Sequence, residues 1–244
     1  MTDTSIAAVI LAAGKGTRMK SDLPKVMMPL CGKPMIRYPL ETLEKMGVKK
    51  IVVVTAPDGD LVRQEVAPHE SCIQYEQLGT GHAVLSAKEK LGKFDGAVLV
   101  IFGDNPIITA QTYQMAADKL KEGNAIVVLG FRPEDPARYG RLVVENGELK
   151  KIVEFKDATE EEKAINLCNS GCMCFDGNTL FEILETIGNE NASGEYYLTD
   201  AIAVARSKGL KCAVVECSAE EVAGANTREE LALLENFYKQ RQVG

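Results

Sequence analysis

Histidine is scarce in this chain: its 244 residues include two, His69 and His82. A mechanism built on a histidine base has little to draw on, and no Ser-His-Asp pattern is evident. Long apolar runs are also missing. No stretch approaches the roughly 18 consecutive apolar residues of a membrane span, so no membrane partner is expected. The opening segment carries Asp3 where a secretory leader would carry Lys or Arg, and its neighbouring cations follow the first apolar run instead of preceding it. Basic excess is lacking too. Lys and Arg number 28 against 35 Asp and Glu, a formal net charge of −7, which argues against nucleic-acid binding through a broad basic face. Repeats, low-complexity tracts and Pro/Ser-rich linkers are absent. Seven cysteines at irregular spacing are an odd count, read here as thiols of a reduced, cytoplasmic setting. Cys168, Cys172 and Cys174 form C-x3-C-x-C. Cys172 and Cys174 would share one face of the strand implied by "GCMCFD", where thiols pack as small hydrophobes instead of binding metal.

What is present is a sizeable apolar share, 45% hydrophobic with 26% charged, enough to bury a substantial core. Apolar, β-branched runs recur at Ala7–Leu11, Lys50–Thr55, Ala97–Phe102 and Ala125–Phe131. Helix-length segments lie between and after them at Pro34–Met46, Gly81–Leu91 and Thr109–Lys121. Strands alternating with helices predict an α/β fold with a mostly parallel sheet. The near-continuous hydrophobicity of those strands predicts helices on both faces. After about residue 135 the pattern changes: two short strands flank Asn146-Gly147, a hairpin signal, and "KCAVVEC" (Lys211–Cys217) is a further strand. The last segment starts with a capping box at Thr227 and Glu230, and Leu231, Leu234 and Tyr238 then form an apolar stripe. The expected organisation is one domain over 1–226, with a first half at about 1–110 and a second half at 111–226 that closes over it. A C-terminal helix over 227–244 follows.

The most informative stretch is "LAAGKGTRMKSDLPK", Leu11 to Lys25. Gly14 and Gly16 allow positive φ and close approach of a ligand to the backbone. Lys15, Arg18, Lys20 and Lys25 face one acid, Asp22. Bare N–H groups beside positive charge suit an anion, most simply phosphate. The order of residues matches neither a Walker A loop nor a dinucleotide fingerprint, since Thr17 follows Gly16 and Met19 stands where a third glycine belongs. In open α/β sheets ligands bind outside the carboxyl ends of the strands. Asp104, after the strand Ala97–Phe102, would lie there with Gly14 and can hold a divalent cation through its oxygens.

These residues, followed in order by "QLGTGHA" (Gln77–Ala83), "FGD" (Phe102–Asp104), "YGR" (Tyr139–Arg141), "CNSG" (Cys168–Gly171), "GEYYLTD" (Gly194–Asp200) and "GAN" (Gly224–Asn226), resemble the sugar-1-phosphate nucleotidyltransferases over nearly the whole chain. "QLGTGHA" with "GEYYLTD" is similar to the uridylyltransferase branch that makes UDP-N-acetylglucosamine, a cell-envelope precursor. The resemblance implies a Rossmann-like, GT-A-like nucleotidyltransferase fold with a smaller sugar-binding subregion. It also implies that UTP and a sugar 1-phosphate give a UDP-sugar and pyrophosphate. On that resemblance Leu11, Ala12, Ala13, Gly14, Lys25, Gly103 and Asp104 would bind the nucleotide. Gln74, Gly79 and Thr80 would read uracil. Gly140, Glu154, Asn169, Tyr197 and Thr199 would contact the sugar, and Asp104 with Asn226 would hold Mg²⁺. Each residue also admits a plainer role. Gln74 sits in the strand "CIQYE", Gly140 in a turn, Glu154 on a strand beside Lys156, and Tyr197 at a helix start with Thr199 as its cap. His82 is expected to support its loop and His69 to lie at the surface.

The chemistry asks the protein for positioning and charge more than for covalent work. A phosphate monoester is already ionised near neutrality, its second pKa being about 6. Arg18, with its rigid fork of donors, is assigned to the β- and γ-phosphates, and Lys25 to the phosphates of the reacting groups. The sugar is expected to be N-acetylglucosamine 1-phosphate, with glucose 1-phosphate or N-acetylmuramic acid 1-phosphate as alternatives. Phe102 stands where this family commonly has Tyr. The relatives continue into a left-handed β-helix that transfers acetyl groups, and hexapeptide repeats are absent from this sequence, so that activity is not implied. A non-catalytic sugar-nucleotide sensor on the same fold is the other class of reading, and it would be free to lose Arg18, Lys25, Asp104 and Asn226. A cytidylyltransferase is disfavoured by "QLGTGHA".

Overall fold

The computed structural model describes residues 5–14, 16–19 and 21–243. Lys15 and Lys20, two cations of the glycine-rich connection, lie outside the described residues. The strands are β1 Ile6–Ala12, β2 Pro29–Leu30, β3 Lys33–Pro34, β4 Lys50–Thr55, β5 Glu70–Ile73, β6 Ala97–Phe102, β7 Asn124–Phe131, β8 Arg141–Glu145, β9 Glu148–Val153, β10 Cys168–Asp176 and β11 Lys211–Glu216. The α-helices are α1 Arg37–Lys45, α2 Asp60–Glu65, α3 Thr80–Ser86, α4 Lys88–Leu91, α5 Ala110–Leu120, α6 Glu160–Lys163, α7 Leu180–Leu184, α8 Ala201–Ser207 and α9 Arg228–Val243.

The main sheet runs β11-β7-β10-β6-β1-β4-β5, with β8 and β9 as a hairpin attached through β10. β1 pairs in parallel with both β4 and β6, β4 with β5, and β11 with β7, whereas β10 runs antiparallel to β6 and β7. The fold is therefore α/β with a mostly parallel sheet. Alternation along β1 explains the continuous apolar run. Ala7, Val9 and Leu11 enter one apolar layer with α3, α7 and α8, while Ala8, Ile10 and Ala12 enter the other with α1, α2 and α5. A strand whose two faces both meet helices needs apolar side chains at every position. The chain leaves β1 toward β4 on one side, and β6 returns on the other, so the order of strands reverses between β1 and β6. A crevice opens at such a reversal.

Several expected elements differ in detail. The segment Gly81–Leu91 is two helices, α3 and α4, separated at Ala87. The segment Pro34–Met46 starts its helix at Arg37 because Lys33 and Pro34 pair with Pro29 and Leu30. The Asn146-Gly147 turn has φ of 50° and 78°, the pair of positive values a tight hairpin needs. Cys168, Cys172 and Cys174 are buried in the apolar layer that holds α1, α2 and α5, and the seven cysteines are unbridged. No helix of the described residues is long and apolar enough to cross a membrane.

A third apolar cluster lies to one side. Leu231 and Leu234 of α9 are buried with Met19, Met28, Leu30, Met35 and Tyr38, and Tyr238 meets Tyr38 edge-on at 4.9 Å. The capping box at the start of α9 forms only in part. Thr227 Oγ1 accepts from Glu230 N–H at 3.1 Å, but the Glu230 carboxylate accepts from Asn226 N–H at 2.6 Å instead of from Thr227.

Candidate active site

A cleft of about 540 Å³ opens at the strand reversal, lined from one side by the connection after β1 and from the other by the loops after β6 and β11. Leu11, Ala12, Ala13 and Gly14 form its floor. The Gly103 N–H bonds to the Leu11 carbonyl at 3.0 Å, carrying the β1–β6 pairing past the strand end and holding Asp104 opposite the glycine-rich turn. The two glycines of that turn do different work. A methyl group built on Gly14 would meet nothing within 4 Å, so its backbone stays bare. Gly16 has φ of 57°, and a methyl group there would lie 2.6 Å from Lys25 Cβ. Gly16 thus lets the turn close onto Lys25.

Four side chains converge at this end. Lys25 Nζ donates to Asn226 Oδ1 at 2.7 Å and forms an ion pair with Asp104. Arg18 Nη2 donates to the same Asn226 oxygen at 2.9 Å. Residues 208 positions apart are joined by one oxygen. Asn226 is presented by a braced loop: Asn105 Nδ2 donates to Val222 O at 2.8 Å, and Gly224 fits against Asp104 O, where a methyl group would come within 3.0 Å. The other end of the cleft presents a buried amide and backbone groups, with Glu195 beside them, its Cβ 3.0 Å from where a methyl group on Gly79 would lie. Gln74 is 4% exposed and lies one residue past β5, its N–H still bonded to Thr55 O at 2.9 Å. Its Nε2 lies 3.1 Å from Gly79 O, to which it donates, and 3.3 Å from His82 Nδ1. His69 bonds to Glu44 at 2.8 Å, away from the cleft.

The residues expected to touch a sugar form a second group beside the first. The Asn169 N–H bonds to Gly140 O at 2.8 Å, and Asn169 Oδ1 accepts from Gly171 N–H at 2.9 Å. Thr199 Oγ1 donates to Glu154 Oε1 at 3.3 Å, and a methyl group on Gly140 would lie 3.4 Å from the same carboxylate. Glu154 is therefore half-buried and bonded to Thr199, not an exposed partner of Lys156, and Thr199 does not cap α8. Burial pushes the Glu154 carboxyl up, the Thr199 bond works against this, and Asp157 and Asp200 add to the rise. Tyr197 precedes the short 3-10 turn Leu198–Asp200. The two groups are locked together through backbone. Gly79 has φ of 114° and abuts Tyr196, whose N–H bonds to Leu78 O and whose carbonyl accepts from Gly81 N–H, both at 2.8 Å. Thr80 Oγ1 accepts from Leu198 N–H at 3.0 Å.

Of the expected ligand-binding residues, Leu11–Gly14, Lys25, Gln74, Gly79, Thr80, Asp104 and Asn226 line the cleft. Gly103 stands behind Asp104, packed against Val26 and Ile36, while Arg18 reaches the edge through Asn226. Gly140, Glu154, Asn169, Tyr197 and Thr199 lie outside the lining of this cleft. Gln77, Tyr139, Ser170 and Glu195, which are not among the expected residues, also line it. All four fall inside the quoted motifs. Gln77 donates to Ala13 O at 2.7 Å, tying the loop that precedes α3 to the connection after β1.

Residues 7–218 match the family model described as nucleotidyl transferase. The chain belongs to that family. This nucleotidyltransferase is 49% identical over 243 residues to the bifunctional protein GlmU of Paramagnetospirillum magneticum, covering 99% of this chain and 54% of that protein. It is 53% identical to the bifunctional protein GlmU of Rhodospirillum rubrum over 234 residues, 95% of this chain and 52% of the relative. The protein of the same name from Roseobacter denitrificans is 47% identical over 239 residues, 96% and 53% of the two chains. The nucleotidyltransferase described here thus spans about half the length of the curated relatives it matches.

Proposed function

We propose that the cleft transfers UMP from UTP to N-acetylglucosamine 1-phosphate, yielding UDP-N-acetylglucosamine and pyrophosphate. The observation that carries this reading is polarity along a single cleft. Arg18 and Lys25 meet Asp104 and Asn226 at one end, while the other presents a buried amide and backbone groups at Gln74, Gly79 and Thr80. A triphosphate and a neutral heterocycle need those two environments at that separation of roles. Similarity to the GlmU proteins supports uridine as the nucleoside and N-acetylglucosamine 1-phosphate as the acceptor.

In this reading Arg18 spreads positive charge over the leaving pyrophosphate, and Lys25 offsets repulsion between the incoming sugar phosphate and the α-phosphate. The attacking oxygen is already anionic, so no side chain must remove a proton. Glu154, Asn169, Gly140, Tyr197 and Thr199 hold the sugar so that its phosphate points in line with the bond to be broken. The donor set fits a hard divalent cation: Asp104 and Asn226 offer two oxygens directed at one spot, which the Lys25 ammonium takes here. Bound there, Mg²⁺ would neutralise charge on the α-phosphate. Two protein oxygens leave its remaining positions to water and phosphate oxygens, as this ion prefers.

A pyrophosphate-release assay over four nucleoside triphosphates and several sugar 1-phosphates, with and without Mg²⁺, tests the proposal. The expected result is fastest release with UTP and N-acetylglucosamine 1-phosphate, dependent on Mg²⁺. Asp104→Ala should lose about 10²–10³ in turnover while remaining folded. No release with any pair would return the protein to a sensor role, and a preference for another sugar 1-phosphate would replace the acceptor.

A further inference from the structure

Lys25 has two claims on its charge. The phosphates of a bound nucleotide would need it, yet its ammonium already lies between the Asp104 carboxylate and the Asn226 carbonyl oxygen. Those oxygens are the pair assigned above to the divalent cation. A cation ligated by both, at the 2.0–2.1 Å typical of Mg²⁺, would require the space that the ammonium fills. Two positive charges cannot share it, and the side chains are only 15% and 19% exposed, so water does little to screen them. The backbone of Lys25 has no freedom to retreat: it opens the 3-10 turn Lys25–Met27, its carbonyl accepts from Met28 N–H, and Gly16 packs on its Cβ. The four-carbon stem can swing while the backbone stays fixed.

We propose that Lys25 is a resident counter-ion, holding the metal position in the nucleotide-free protein and surrendering it to the divalent cation as its ammonium passes to the arriving phosphates. This rests on the metal and phosphate assignments of the proposed function. Its consequence is an order of events. A free metal ion must evict Lys25 with no new anion to receive it, whereas a metal that arrives on a triphosphate brings that anion along. The nucleotide-free protein is therefore a poor metal binder by construction, and Asp104 is neutralised until substrate enters.

Titration of Mn²⁺ into the nucleotide-free protein, followed by electron paramagnetic resonance, tests this directly. Lys25→Met should bind Mn²⁺ at least tenfold more tightly than the wild type. Lys25→Arg, which keeps the positive charge, should bind no more tightly than the wild type. Adding Asp104→Asn to Lys25→Met should erase the gain. Equal or weaker binding by Lys25→Met overturns the proposal, as does a gain that survives Asp104→Asn. The wild type supplies a check independent of how the variants fold. With ¹³C-labelled lysine, the Lys25 ε-carbon resonance should move when Mg²⁺ and UTP are added together, and its staying fixed while both are bound also overturns the exchange. Failure of the underlying reading looks different: Mn²⁺ binding in the presence of UTP would then be indifferent to Asp104→Asn in an otherwise wild-type chain.

Discussion

Gln74 gains its meaning from its amide direction. With Nε2 committed to Gly79 O and His82 Nδ1, its Oε1 is the end left for a ligand in the cleft. An acceptor there suits uracil, whose N3 carries a proton, and opposes cytosine, whose N3 is a lone pair. His82→Leu removes one of the two groups that hold the amide, and the ratio of kcat/KM for UTP to that for CTP should fall roughly tenfold, about the worth of one hydrogen bond. His82→Asn, which keeps an acceptor near Nδ1, should restore most of it. Glu154 carries a cost that follows from its setting. Because burial raises its folded-state pKa above the unfolded value, the folded protein holds that proton more tightly, and stability falls as pH rises through this window. Glu154→Gln should therefore raise the melting temperature at pH 7, with the gain vanishing below the ordinary carboxylate range, while sugar phosphate binds more weakly. Neither effect could be read from residue type. "KKIVEFK" looks like a surface strand until Thr199 and Gly140 are found against its Glu154.

Elements show a clearer division of legibility. The strands β1, β4, β6 and β7 were visible because burial on both faces writes an unbroken apolar run. The break at Ala87 between α3 and α4 and the late start of α1 were not visible, since an apolar period continues through both. The interlock of "QLGTGHA" with "GEYYLTD" belongs to this scale. The two motifs are about 115 residues apart in the chain, yet Gly79 and Gly81 lie on the Tyr196 backbone. A methyl group at Gly79 would approach Tyr196 O within 2.6 Å at a φ of 114°. Gly79→Ala should cost about 1–3 kcal/mol in chemical denaturation, and it should raise KM for both UTP and the sugar phosphate because both groups move together. A change confined to one substrate would show that the loops act separately.

Across the whole molecule, α9 returns to the beginning of the chain. Leu231 and Leu234 bury against Met19, which follows Arg18, and Glu230 holds the N–H of Asn226. The Arg228 guanidinium donates to Met19 O at 3.2 Å. The final helix therefore braces both partners of the Arg18–Asn226 contact without touching the cleft. Leu234→Ala should destabilise by about 2–5 kcal/mol, the usual cost of such a cavity. Below the melting transition it should also weaken UTP binding, which calorimetry would measure; unchanged UTP affinity would restrict α9 to a role in stability.

The sequence by itself determined the sheet's buried strands, the bare-backbone turn after the first of them and the hairpin at Asn146-Gly147, because each follows from local period, backbone freedom or turn chemistry. It also held, in ordered motifs, the residue types found around the cleft. Only the tertiary structure decided which members of those motifs face it, that Glu154 is half-buried, and that Lys25, Asp104, Asn226 and Arg18 meet. Contacts across hundreds of residues depend on strand order and loop closure, and no local pattern in the chain encodes those distances.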